Sequence, residues 1–273
     1  MANELTTVNF ELVAGMEELD EELKAELEDE FNDLDPDTGI DCKKIKVMNG
    51  GAGMFTVETD DEKKSEKTET IEGVMIFTHC SNGYWSQDYG TEENQAPDCM
   101  SMDGKQGVDF ETGEVRECNR CKYNQYGTDK QGRGKACKNT RRIYLMLSGK
   151  QEPYLLSVPP TSMRDVNKQL SRIMGRTKTP YTRMVLKFSL ENVKSKVGME
   201  YSKILVEQVG ILPEEQFKIT AKLRTELKEQ YKNIAMTADD FTEALMQQER
   251  PDTDGFIDVD AVAHDVDDEL PFK

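Results

Sequence analysis

The chain has 273 residues, enough for one large domain or two small ones with a sizeable core, and is very polar, at 32% charged against 36% hydrophobic. No apolar stretch approaches the ~20 residues of a membrane span, and "MANELTTVNF" has neither a basic start nor an apolar run. No membrane partner and no signal peptide are therefore expected, the protein reads as cytoplasmic, and the net charge of −18 is misleading because it comes in blocks.

In chain order, "MEELDEELKAELEDEFNDL" over residues 16–34 spaces Leu19, Leu23, Leu27, Phe31 and Leu34 along one face of an acidic helix, which "DPDTG" ends. "KKIKVM" and "GMFTVET" flank "NGGAG" as a strand pair, and "DDEKKSEKTET" reads as a mobile polar loop. "IEGVMIFTHC" is a buried strand, followed by a long irregular segment, "NGYWSQDYGTEENQAPDCMSMDGKQG"; irregular stretches of that length are usually functional or held by a metal. "TRRIYLMLSG" and "PYLLSVPP" form a hairpin through "GKQE". "PTSMRDVNKQLSRIMGR" is a helix with Thr161 or Ser162 as cap and Val166, Leu170 and Ile173 on its apolar face. "TRMVLKFSLENVKS" and "MEYSKILVEQVGIL" make a second hairpin across "KSKVG". An amphipathic helix starts at Pro213, "TADDFTEALMQQE" is a short one, and disorder is expected from Arg250 onward.

Residues 1–38 hold 14 acidic groups and one basic, residues 39–115 sum to −9, residues 188–238 to +1 and residues 239–273 to −10. Residues 116–187 reverse the sign, with 17 Lys and Arg against four Asp and Glu. Each acidic end alone reads as a solvated face. A strongly basic block inside an acidic chain favours a polyanion partner, since cations that neutralise phosphates release counterions.

Six cysteines without a secretion signal point away from a disulfide framework. Four of them are spaced Cys99-x18-Cys118-x2-Cys121-x15-Cys137. A C-x-x-C pair places two thiolates on adjacent corners of a tetrahedron and two further Cys close it, the soft set that structural zinc prefers. Free buried thiols, a redox C-x-x-C and an iron–sulfur cluster are the alternatives. "ECNRCKYNQYG" lies in a loop, which disfavours redox, and the spacing is not that of a ferredoxin. Cys80 and His79 are reserve ligands, and Cys42 reads as an ordinary buried thiol. A closed four-cysteine site leaves no position for water, so it is structural: it braces a loop carrying Lys130, Arg133, Lys135, Lys138, Arg141 and Arg142 beside Tyr123 and Tyr126.

Cations interleaved with aromatics suit single-stranded nucleic acid, with charges tracking phosphates while rings stack on bases at ~1–3 kcal/mol each. Tyr84, Trp85, Tyr89, Tyr123 and Tyr126 are the candidates, set against the plainer reading that each ring plugs a small loop core. "GTDKQGRGKA" lacks the order of a P-loop, two His give no Ser-His-Asp triad, and "DTDGFIDVD" has its Gly too early for a calcium loop. No spacing singles out paired carboxylates for two-metal nuclease chemistry.

The tail "DVDDELPF" resembles the C-terminal tip of bacterial single-stranded DNA-binding proteins. The resemblance implies that Asp267, Asp268 and Glu269 steer toward a basic rim on a replication, recombination or repair protein while Leu270, Pro271 and Phe272 fill an apolar pocket. That family usually ends on Phe, whereas Lys273 follows here. "GVMIFTHCSNGYW", "PDCMSMDGKQG", "CNRCKYNQYGT", "GRGKACKNTRRIYLM" and "PPTSM", over about residues 73–163, resemble a group of phage and prophage proteins presumed to bind DNA, whose Cys look like zinc ligands. That likeness implies a bacterial host cell as the location.

The elements suggest an α+β protein: an OB-like antiparallel barrel over 39–212 with a zinc-binding insertion at about 80–142, an acidic helical segment over 1–38, helices over 213–249 and a disordered acidic tail over 250–273. The expected function is non-enzymatic binding of single-stranded DNA with little sequence preference, with structural zinc, partner recruitment through the tip, and an acidic tail able to compete with DNA for the basic groove; homo-oligomerisation is left open. The alternatives are a DNA-mimicking inhibitor or adaptor acting through the acidic helix 16–34, and a metal-dependent nuclease.

Overall fold

The computed structural model describes residues 6–12, 26, 42–48, 51–59, 61, 64–86, 97–130, 132, 134–194 and 200–231. Its strands are β1 (Lys44–Val47), β2 (Phe55–Glu58), β3 (Ser65–Thr68), β4 (Thr70–Tyr84), β5 (Cys99–Ser101), β6 (Gln106–Asp109), β7 (Val115–Glu117), β8 (Lys138–Leu147), β9 (Tyr154–Val158), β10 (Met184–Lys194) and β11 (Glu200–Ile211). Among the described residues the α-helices α1 (Pro160–Thr177) and α2 (Glu214–Gln230) complete an α+β protein.

All eleven strands join one sheet, ordered β3-β2-β1-β9-β8-β4-β5-β6-β7, with β10 pairing both β4 and β11. Every pairing is antiparallel except that of β1 with β9. The organising strand is β4. It pairs β8 along one edge, while its other edge takes β10 over Thr70–Val74 and β5 over Asn82–Tyr84. Ile71 through Phe77 are almost continuously buried because both faces of the sheet are covered, so polar and apolar residues do not alternate there.

One face buries Ile45, Phe55, Met75, Ile143, Leu145, Leu186 and Ile204 against Val166, Leu170 and Ile173 of α1, the apolar positions expected from the period. The other buries Val74, Ile76, Phe77, Tyr144 and Val185 against Leu227 of α2 and Phe10. Residues 6–12, placed by sequence in an acidic segment, run beside the last strand: Val8 N–H donates to the Ile211 carbonyl and Ile211 N–H to that of Thr6, each at 3.2 Å.

The ladders do not close. Among the described residues β3, β7 and β11 each keep one edge without a strand partner, so the expected OB-like barrel appears as an open, mixed sheet. With a helix against each face, the sheet is covered by layers instead of being rolled shut. It still curls: Gly53 N–H donates to Ser202 Oγ at 3.3 Å, which brings the β1–β2 turn to the far end of the β10–β11 hairpin.

Other departures are local. Part of the expected polar loop is β3, a charged edge strand whose exposed side chains discourage pairing with another chain. β4 runs on to Tyr84, the segment expected to be irregular supplies β5 and the start of β6, and β7 follows it. Neither Thr161 nor Ser162 caps α1; its N-cap is Pro159, and Ser162 Oγ accepts the Ile204 N–H at 3.1 Å. The helix 16–34 (apart from Glu26), Tyr89, Arg133, the helix after α2 and the tail with Asp267, Asp268, Glu269, Leu270, Pro271 and Phe272 lie outside the described residues. Among the described residues no helix is long and apolar enough to cross a membrane.

Candidate metal centre and nucleic-acid interface

Cys99 opens β5, between Tyr84 of β4 and Asp109 of β6. Cys118 and Cys121 form a tight turn after β7, in which Cys121 N–H points to the Cys118 carbonyl at 3.4 Å. Asn124, buried one short helical turn later, donates from Nδ2 to the same carbonyl at 2.8 Å and from its backbone to Cys121 at 3.1 Å. Cys137 immediately precedes β8, and its N–H donates to the Tyr123 carbonyl at 2.8 Å. Three separate stretches of chain thus deliver four cysteines to the wall of one small cavity, together with Asn82, Tyr84 and Tyr123. Its free space of about 10 Å³ suits a single ion or water and no organic ligand.

Gly107 of β6 makes the space. A Cβ added there would stand 3.0 Å from Cys99 Sγ and 3.6 Å from Cys118 Sγ. Burial, then the neighbouring Cys118 and Cys121, push the Cys99 thiol up to about 11, and burial with the other three cysteines raises Cys137 further. Clustered buried thiols resist ionisation, and a divalent cation among them reverses that balance. As their side chains stand, no group of three His, Cys, Asp or Glu among the described residues could hold a metal ion. The four cysteines nevertheless line one cavity, and rotation about a cysteine χ1 carries the sulfur across such a space while the backbone stays fixed. Donor type, number and enclosure fit a structural Zn²⁺ held by Cys99, Cys118, Cys121 and Cys137.

The reserve ligands stand elsewhere. His79 lies between the Cys80 carbonyl (Nδ1, 3.0 Å) and the Tyr144 hydroxyl (Nε2, 3.1 Å), stacked in a layer with Phe77. Cys80 Sγ faces Arg141 Nη2 at 3.5 Å. Cys42 is buried in the core, as its sequence context suggested.

The aromatic candidates divide. Tyr84 and Tyr123 stack on each other with centroids 4.1 Å apart and planes within 14°, so one face of each ring is used internally. Tyr126 is 49% exposed, with Lys135 Nζ 5.1 Å from its ring centre, and Lys122 Nζ is 4.7 Å from that of Tyr123. Lys130 is exposed; Lys135 and Arg141 are half-buried. Trp85, at 7% exposed, Lys138, at 8%, and Arg142, at 0%, are not surface groups. Arg142 pairs across the ladder with His79 and therefore points into the buried aromatic layer, and Lys138 Nζ donates to the Lys135 carbonyl at 2.8 Å.

The basic loop is held by its own backbone. The N–H groups of Gly127, Thr128 and Asp129 all converge on the Gly134 carbonyl, at 2.8, 3.1 and 3.3 Å. Thr128 Oγ1 bonds the Gln125 carbonyl at 2.7 Å and accepts the Ala136 N–H at 3.0 Å. Those amides face a carbonyl, which agrees with rejecting a phosphate-cradling P-loop. Sequence reasoning missed Asn82, Gly107 and Asn124. Gly107 left one faint signal, a glycine inside "KQGVD" at a strand position where glycine marks close approach. Comparison with protein-family models, curated proteins and solved structures finds no match.

Proposed function

We propose that this protein binds single-stranded DNA with little sequence preference, without chemically altering it, during phage DNA replication or recombination. In this reading a structural Zn²⁺ on Cys99, Cys118, Cys121 and Cys137 fixes the loop that carries Tyr126, Lys130, Arg133 and Lys135, and the curled sheet serves as an OB-like platform. The acidic tip from Asp267 to Phe272 recruits replication, recombination or repair proteins.

The observation that carries the reading is the double placement of Tyr123. Its ring lines the four-cysteine cavity and stacks on Tyr84, while its carbonyl holds Cys137 and its face meets Lys122. Bracing the metal site therefore braces the cationic, ring-bearing surface, the combination that tracks phosphates and stacks unpaired bases. The test is a fluorescence-anisotropy titration with labelled dT oligomers at two salt concentrations, with duplex as competitor. Binding that weakens with salt and prefers the single strand is expected; no association in dilute buffer rejects the reading.

A further inference from the structure

β7 inverts the usual placement of polar and apolar side chains. Val115 points to solvent at 59% exposed, while Arg116, the middle residue of the strand, turns inward and is 28% exposed. A half-buried cation beside an exposed valine is a local conflict of the kind that functional sites produce.

The register shows what Arg116 faces. It stands directly opposite Gly107 in the β6–β7 ladder, so both side-chain positions lie on one face, and both residues line the four-cysteine cavity. Gly107 lies between β7 and β5, and a Cβ added to it would stand 3.0 Å from Cys99 Sγ and 3.6 Å from Cys118 Sγ. The ladder position between the arginine and those sulfurs is therefore bare. Apart from the cysteines, Arg116 is the only ionisable cation among the described residues that line the cavity.

Two carboxylates hold its guanidinium. Nη2 lies 3.1 Å from Asp109 Oδ2 and donates to Glu114 Oε2 at 2.8 Å, and Nε donates to the same Glu114 oxygen at 3.1 Å. Asp109 is the ladder partner of Cys99, and its Oδ1 accepts the Glu111 and Thr112 N–H groups at 3.2 and 3.0 Å, so the β6–β7 turn fixes it. One edge of the guanidinium is thus engaged, and Nη1 keeps two N–H groups that bond nothing among the described residues. An ion pair that only stapled the hairpin would serve as well on its outward face; here it is set against the sulfurs. Four thiolates around one Zn²⁺ leave two negative charges in an enclosed space, where a nearby cation and N–H donors to sulfur count most.

Resting on the metal centre of the reading above, we propose that Arg116 is a positioning residue of that centre, donating its spare N–H groups to the thiolates and offsetting their charge while Asp109 and Glu114 aim it. Arg116 takes no part in ligation; it sets how firmly the four cysteines hold the ion.

The test measures the zinc affinity of the full-length protein by competition with a chromogenic chelator, with the cobalt-substituted protein as a spectroscopic readout. Arg116→Gln should bind zinc at least about tenfold more weakly, and its sulfur-to-cobalt charge-transfer band should move to longer wavelength because the thiolates lose donors. Glu114→Gln breaks the same ion pair but removes a negative charge, so it should hold zinc as firmly as wild type or more so. Equal weakening in both variants would make the pair a hairpin staple and overturn the inference. So would wild-type affinity and spectrum in Arg116→Gln. If Arg116→Gln melts abnormally, Arg116→Lys is read in its place: weaker zinc binding with a shifted cobalt band is expected, and wild-type values for both overturn the proposal. A wild-type protein that binds no zinc removes the metal centre and this inference together. Zinc-loaded wild type that binds no dT oligomer removes the proposed function and leaves the role of Arg116 standing.

Discussion

Gly107 shows how one missing side chain shapes a site. Its φ is not in the left-handed region, so alanine is tolerated by the backbone, and the added methyl presses on Cys99 Sγ at 3.0 Å. Gly107→Ala is expected to leave the sheet folded and lower the zinc content of the purified protein well below one ion per chain, read by metal release to a chromogenic chelator; full occupancy would mean the thiols do not share this space. His79 gives a pH prediction. Burial lowers its pKa to about 4, helped by Arg142 and Arg141 and opposed by the Cys80 carbonyl. The unfolded chain, with a histidine pKa near 6.5, then binds the proton that the folded chain refuses. Stability contributed by neutral His79 is therefore complete above about pH 6.5 and lost as pH falls toward 4, by up to about 3 kcal/mol. Urea denaturation at pH 7 and pH 5 should show a smaller difference for His79→Gln than for wild type.

At the scale of elements, α1 was the most legible part of the chain, since Val166, Leu170 and Ile173 follow the helical period and pack as expected. What the period could not reveal was the use of Ser162 as an acceptor for Ile204, because that depends on a strand forty residues away. The short strands β5, β6 and β7 were illegible for a related reason: three- and four-residue strands have too few positions to display alternation, and pairing outward from β4 defines them. The convergence of the four cysteines was legible from spacing, whereas the burial of Lys138 and Arg142 follows from ladder register and could not be. The C-terminus of α1 carries its own prediction. Lys178 caps it at φ 53°, the left-handed region, with its N–H bonded to the Met174 carbonyl at 2.8 Å. Lys178→Gly should raise stability by up to about 1 kcal/mol in denaturant titrations, and a loss would mean that the lysine side chain holds the turn.

For the whole molecule, charge layout organises the account: an acidic chain concentrates its cations over residues 116–187, the span that includes the cysteine knuckle, β8 and α1. The strongly acidic tail would compete for that surface at low salt. Removing residues 250–273 is therefore expected to tighten binding of dT oligomers several-fold at low ionic strength and to have little effect at high salt, where both attractions are screened. Unchanged affinity at low salt would discard the competition. The central claim is that a thiolate-held metal and a strand-binding surface are one structural unit. Native mass spectrometry of the full chain, alone and mixed with a dT oligomer, tests it in one measurement. One zinc ion per chain and an oligomer complex formed only by the metal-bound species are expected. A metal-free protein, or a complex formed equally well after the metal is stripped, would contradict it.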